Sequence, residues 1–106
     1  MTDASAPAPQ SLLSVDTCVV AVQDQVSAVL EGETIILTMR DGVYYAVDRI
    51  GSRIWSLTAS PITLGAVHRT ILDEYEVESD VAWRDLVRLV EELLRAGLLE
   101  RTVAAP

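Results

Sequence analysis

Apolar and polar positions divide the chain into strands first and helices afterwards. From Leu12 to Val22 the apolar residues are dense but irregular, and Cys18, Val19, Val20 and Val22 read as a short extended segment. Three β-type runs follow, Val26 to Leu30, Glu33 to Met39 and Val43 to Val47, separated by Glu31-Gly32 and Asp41-Gly42. Asp-Gly suits a two-residue hairpin, since both central positions take positive φ, which Gly accepts freely and Asp tolerates. The spacing predicts a three-stranded antiparallel meander.

Beyond the meander the period changes. Asp48 fits a helix N-cap, and Ile50, Ile54 and Leu57 recur on one helical face beside Trp55 until Ser60-Pro61 ends the run. Thr63 caps a second helix with Leu64, Val67 and Ile71 as its buried stripe. A third helix opens near Ser79 or Asp80 and runs to Ala96, with Gly97 placed for a left-handed C-terminal cap. Two adjacent apolar stripes line it: Ala82, Leu86, Leu89 and Leu93, then Trp83, Val87, Val90 and Leu94. That face is wider than one core contact requires, so one stripe is free for a partner. Leu98 and Leu99 can fold back to close the core.

Strands followed by three helices indicate an α+β domain in which the helices cover one face of a three-stranded antiparallel sheet. We expect a loose tail over residues 1–11, one domain over residues 12–102 and a frayed end over residues 103–106.

Charge and composition narrow the functional classes. Eight Lys+Arg against sixteen Asp+Glu leave a net charge of -8, which repels phosphate backbones and anionic lipids. No apolar stretch approaches the roughly 20 residues that span a bilayer, and no secretory signal is evident, so we expect a cytoplasmic protein. The single cysteine, Cys18, cannot form an internal disulfide and reads as a small buried residue.

Catalytic chemistry has little to work with. His68, the one histidine, falls between Val67 and Ile71 in a boundary phase, and one Cys with one His cannot make a zinc site. Asp73, Glu74, Glu76, Glu78 and Asp80 lack the spacing of a calcium loop and read as a solvated acidic corner. No glycine-rich phosphate loop occurs. The expectation is no enzyme, no metal and no cofactor. Arg84, Arg88 and Arg95 sit on the third helix, where a DNA-reading helix would carry them, but Asp80, Glu92 and Glu91 each lie four residues away as ion-pair partners.

The strand Val43 to Val47 closes the meander and leaves an open edge, which can accept a peptide as an added strand. Tyr44 and Tyr45 point to opposite faces, so one of them lines any groove beside the third helix.

Three runs carry a resemblance: Leu30-Glu31-Gly32-Glu33-Thr34-Ile35-Ile36-Leu37, Asp41-Gly42-Val43-Tyr44-Tyr45-Ala46-Val47-Asp48, and Gly51-Ser52-Arg53-Ile54-Trp55. With Asp85-Leu86, Leu89, Leu93 and Ala96-Gly97-Leu98-Leu99, they resemble the PqqD-like family over residues 15 to 101. The resemblance implies a winged-helix-like fold that binds the leader of a ribosomally made precursor peptide by strand addition. It further implies a partner enzyme, either a leader protease or a radical-SAM modifying enzyme. Tyr-Tyr and Gly-x-x-Ile-Trp look more like the discrete leader-binding proteins of lasso-peptide clusters than like the pyrroloquinoline-quinone member. Carried over by position, the peptide site is Val43, Tyr44, Tyr45, Ala46 and Val47 with Trp83, Arg84, Val87 and Arg88. The competing expectation is a winged-helix DNA-binding transcription regulator, which the acidic balance disfavours.

Overall fold

The structure, a computed structural model, describes residues 13–103. The tail expected at residues 1–11, position 12 and the last three positions of the expected frayed end lie outside the described residues. In chain order the elements are β1 (Cys18–Ala21), β2 (Gln25–Leu30), β3 (Glu33–Thr38), β4 (Tyr44–Val47), α1 (Arg49–Leu57), β5 (Ile62–Thr63), α2 (Leu64–Glu74), α3 (Ser79–Arg95) and β6 (Leu99–Thr102).

The meander is present as the antiparallel sheet β2-β3-β4. A second antiparallel sheet, ordered β5-β1-β6, corrects the single-sheet architecture. Local pattern could not announce it. β5 is two residues long and β6 starts directly after the α3 cap, so neither has room for a period of its own. Both are strands because β1 lies between them and supplies their main-chain partners.

The two meander turns exchange the roles the dipeptides suggested. Glu31 and Gly32 both take positive φ, 54° and 87°, between the paired residues Leu30 and Glu33, so the two-residue hairpin turn sits there. At the second turn Gly42 alone is left-handed, with φ 72°. The loop is two residues longer than expected, because the Thr38 N–H donates to the Val43 carbonyl at 2.9 Å and leaves Met39 to Gly42 outside the ladder. Asp41 contributes through its carboxylate, which accepts from the Thr38 hydroxyl and, at 3.3 Å, from the Val43 N–H. These two donors, the hydroxyl foremost, hold its carboxyl below the ordinary aspartate range.

Helix ends follow the capping chemistry read from the sequence. The Asp48 carboxylate accepts from the Gly51 N–H at 2.7 Å, and the Thr63 hydroxyl accepts from the Ala66 N–H at 3.2 Å. α3 closes in a Schellman arrangement: Leu98 N–H donates to the Leu93 carbonyl at 2.9 Å and Gly97 N–H to the Leu94 carbonyl at 3.1 Å, with Gly97 at φ 79°. Thr63→Ala is expected to cost about 1 kcal/mol. Urea denaturation checks this: the midpoint should fall with an unchanged slope, and an unmoved midpoint would mean the cap bond adds nothing.

One core joins both sheets to the helices. Ile54 and Trp55 of α1, Leu64, Val67 and Ile71 of α2, and Leu86, Val90 and Leu93 of α3 close over Val19, Ile36, Val47, Leu98 and Leu99. α1 and α2 therefore bury the faces their periodicity marked, whereas α3 buries Leu86 and Leu93 from one expected stripe and Val90 from the other, so neither stripe is left whole for a partner. Two polar bonds pin α1 to the meander: Thr34 hydroxyl to Ser52 Oγ at 2.7 Å, and Trp55 Nε1–H to Ser27 Oγ at 3.3 Å.

The meander's other face is apolar and open. Register and pleat place Val26, Ala28, Leu30, Leu37, Tyr44 and Ala46 on it together. Val26 is 52% exposed, Leu30 62% and Tyr44 67%.

Candidate functional site

The N–H and C=O directions along β4 follow from its register against β3. Val43 and Thr38 are a hydrogen-bonded pair, so the pairs in phase with them, Tyr45 with Ile36 and Val47 with Thr34, bond across the ladder. Tyr44 and Ala46 fall out of phase, and their N–H and C=O groups point away from β3. Among the described residues no strand lies on that side. β4 is thus an edge with a free, evenly spaced set of donors and acceptors.

Side chains alternate the other way. Val47 is buried and Tyr45 half-buried against the core, while Tyr44 and Ala46 face outward with the exposed sheet face. This settles which tyrosine borders a helix: Tyr45. Beside the edge a cleft of about 410 Å³ opens between the end of β4 and α3. Ala46, Val47, Ile50, Gly51, Ile54 and Leu89 form its apolar surface, and Asp48, Asp85, Arg88 and Glu92 rim it. It continues past Tyr45, where Glu92, Arg95 and Ala96 line a further hollow. β4 and α3 therefore run in opposite directions along one groove.

Gly51 is what lets α1 pass under the strand end. A Cβ there would stand 3.0 Å from Val47 Cβ and 3.2 Å from Asp48 Oδ1, both held by backbone or cap, so a larger residue would push them into the groove.

The helix residues expected at the site divide between two flanks. Arg88 lines the β4 groove, but Trp83, Arg84 and Val87 line a different cleft of about 390 Å³, with Leu13, Glu91 and Arg88 itself. Trp83 also meets His68 edge-on, at 5.4 Å between ring centroids, and His68 Nε2 lies 3.0 Å from the Ser79 carbonyl. Those contacts tie that flank to α2 and not to the strand. Asp85, Leu89 and Glu92 are the helix residues that sequence reasoning left out of the site. Their spacing of four and three was a usable signal, because it marks one stripe. Choosing that stripe needed the rotation of α3 about its axis, which burial of Leu86, Val90 and Leu93 sets.

The expected ion pairs along α3 are also rearranged. Arg88 bonds Asp85, three residues before it, at 2.7 Å, instead of Glu92. Among the described residues the other ion pair joins Arg53 to Glu74 at 2.8 Å, so the pairs expected for Arg84 and Arg95 do not form. Exposed helical pairs contribute only a few tenths of a kcal/mol, roughly 0.3 to 0.5, so side-chain entropy decides between such partners.

An open edge, an apolar floor and a charged rim can hold an extended peptide: main-chain bonds to the edge, alternate side chains into the groove. No group of three or more His, Cys, Asp and Glu that could hold a metal occurs among the described residues. No helix there is long and apolar enough to cross a membrane.

The family model for coenzyme PQQ synthesis protein D (PqqD) matches residues 33–99, well over half of the chain. A solved structure of TbiB1 in complex with the TbiA(beta) leader peptide is 30% identical, with a TM-score of 0.69 over 80% of this chain and 99% of that one. A lasso peptide synthetase B1 complexed with the leader peptide is 23% identical and shares the fold, with a TM-score of 0.67 over 77% of this chain and 96% of that one. No curated protein matches the sequence.

Proposed function

Because this chain belongs to the PqqD family, we propose that it captures the leader segment of a ribosomally made precursor peptide and presents the precursor to a separate enzyme. The leader lies along β4 as a fourth strand of the meander, antiparallel or parallel to it, and bonds to the outward groups of Tyr44 and Ala46. Its alternate side chains enter the groove between Tyr45, Val47, Ile50 and Ile54 on one side and Leu89, Arg88 and Glu92 on the other. The chain carries out no bond chemistry itself and acts in the cytoplasm, raising the precursor's effective concentration at a leader protease or other modifying enzyme.

One observation carries this reading: a strand edge with unpaired main-chain groups directly beside an apolar, helix-walled groove. An edge alone would be a liability that proteins normally cover. Here it adjoins a surface that gives an added strand somewhere to bury its side chains. The TbiB1 structure holds a leader peptide, and its sequence relation to this chain supports the same guest class.

Titration of the chain with the synthetic leader of the precursor encoded beside its gene tests the proposal. Saturable one-to-one binding is expected. Absence of binding at ~100 μM, equivalent to about -5.5 kcal/mol, overturns it.

A further inference from the structure

The groove beside β4 carries a second kind of information, the chemistry of the guest side chain that enters it. Its floor and its mouth differ. Val47 and Ile54 are buried and Ile50 and Leu89 half-buried, so the floor is apolar, whereas Asp48, Asp85, Arg88 and Glu92 are all exposed and stand at the mouth of the same cleft.

The mouth is not balanced in charge. Arg88 is the one cation lining this cleft, and Asp85 holds it at 2.7 Å, which leaves Asp48 and Glu92 without a counter-charge. Asp48 accepts the Gly51 N–H through Oδ1, and its Oδ2 has no hydrogen-bond partner among the described residues. Glu92 forms no ion pair there either, and Arg95, which lines the next hollow with it, stays apart. Arg95 nonetheless offsets the field beside Tyr45, so the negative excess is centred on the end of β4.

We infer that this cleft selects a leader residue with an aliphatic stem and a cationic head, a lysine or an arginine, at the position that enters beside Ala46 and Val47, and that Glu92 sets the preference. The inference rests on the leader-capture reading and narrows its substrate class. A strand added to β4 crosses the mouth and takes water from both free carboxylates. A neutral side chain returns nothing for that loss, and an acidic one adds repulsion. Lysine or arginine fits both layers at once: its methylenes lie over Leu89 and Ile54, and its head stays at the mouth. At longer range the net charge of -8 draws a cationic peptide in the same direction.

Glu92 is the residue to vary, because Asp48 also caps α1 and Asp85 also holds Arg88. Calorimetric titration of the full chain uses the synthetic leader of the precursor encoded beside its gene, and leaders in which each Lys or Arg in turn is replaced by norleucine, which keeps a stem and removes the head. One norleucine leader should bind about fivefold more weakly. Glu92→Gln should cost the parent leader about as much and add nothing to the loss of that norleucine leader. Glu92→Lys should weaken the parent leader about tenfold, and glutamate at the same leader position should recover most of it. Glu76→Lys makes the same change in net charge on the exposed connection between α2 and α3, away from the cleft, and should stay within about twofold of the parent. Circular dichroism checks that each variant is folded.

No binding of the parent leader overturns the leader-capture reading, and this inference with it. Where the parent leader binds, the inference alone falls if Glu92→Lys leaves affinity unchanged, if the glutamate leader fails to recover it, if Glu76→Lys weakens binding as much, if no norleucine leader loses affinity, or if that loss persists in full in Glu92→Gln.

Discussion

Ala46→Pro should weaken leader binding about 10- to 100-fold while the chain stays folded. The Ala46 N–H points away from β3, so proline removes a donor from the open edge and leaves the ladder bonds of Tyr45 and Val47 in place. The Ala46 side chain is exposed, which gives the pyrrolidine ring room. A leader carbonyl that would have met this N–H is then buried without a partner. That loss costs about 1 to 3 kcal/mol, the source of the expected fold-change. Calorimetric titration measures it, with urea midpoints as the control for folding. Unchanged affinity would mean that the guest does not run along β4.

The largest effect is expected at Leu89. Leu89→Asp should reduce leader affinity by ~100-fold or more, because it puts a carboxylate on the apolar floor where a guest side chain must be desolvated. Asp48, Asp85 and Glu92 rim the same cleft and would oppose the new charge further. Val87→Asp provides the contrast. Val87 lines the cleft with Leu13 and Trp83, on the other flank of α3, so its variant should bind within about threefold of the parent. Leu89 is half-buried, and Leu89→Ala, which adds no charge, separates a folding defect from a binding one. If Val87→Asp proved the more damaging of the two, the guest would lie on the Trp83 flank.

These two variants also mark how far local pattern reaches. Alternation in β4 and periodicity in α3 were both legible, and each places its residues on the correct face of its own element. Asp48 and Thr63 cap their helices, Gly97 terminates α3 in the left-handed region, and the stripes of α1 and α2 are buried as their spacing required. All of these depend on contacts within about four residues, where composition and backbone geometry leave few choices.

Relations between elements were less legible. Glu31-Gly32 forms the tight turn although Asp-Gly has the better local chemistry, because the register of β3 against its two neighbours sets both loop lengths at once. β5 and β6 became a sheet through β1, across most of the chain. The resemblance to the PqqD-like family joined Trp83, Arg84 and Val87 to β4 in one site, whereas these three line a cleft on the opposite flank of α3.

What short-range chemistry settled here is the three meander strands, the three helices with their caps, and the meander's order, which leaves its last strand at an edge. Packing alone chose the groove. A helix can turn about its axis without altering its own hydrogen bonds, so its sequence leaves that angle free. Burying Leu86, Val90 and Leu93 against partners from every layer leaves α3 one orientation, and that orientation brings Asp85, Leu89 and Glu92 beside Tyr45 and Val47.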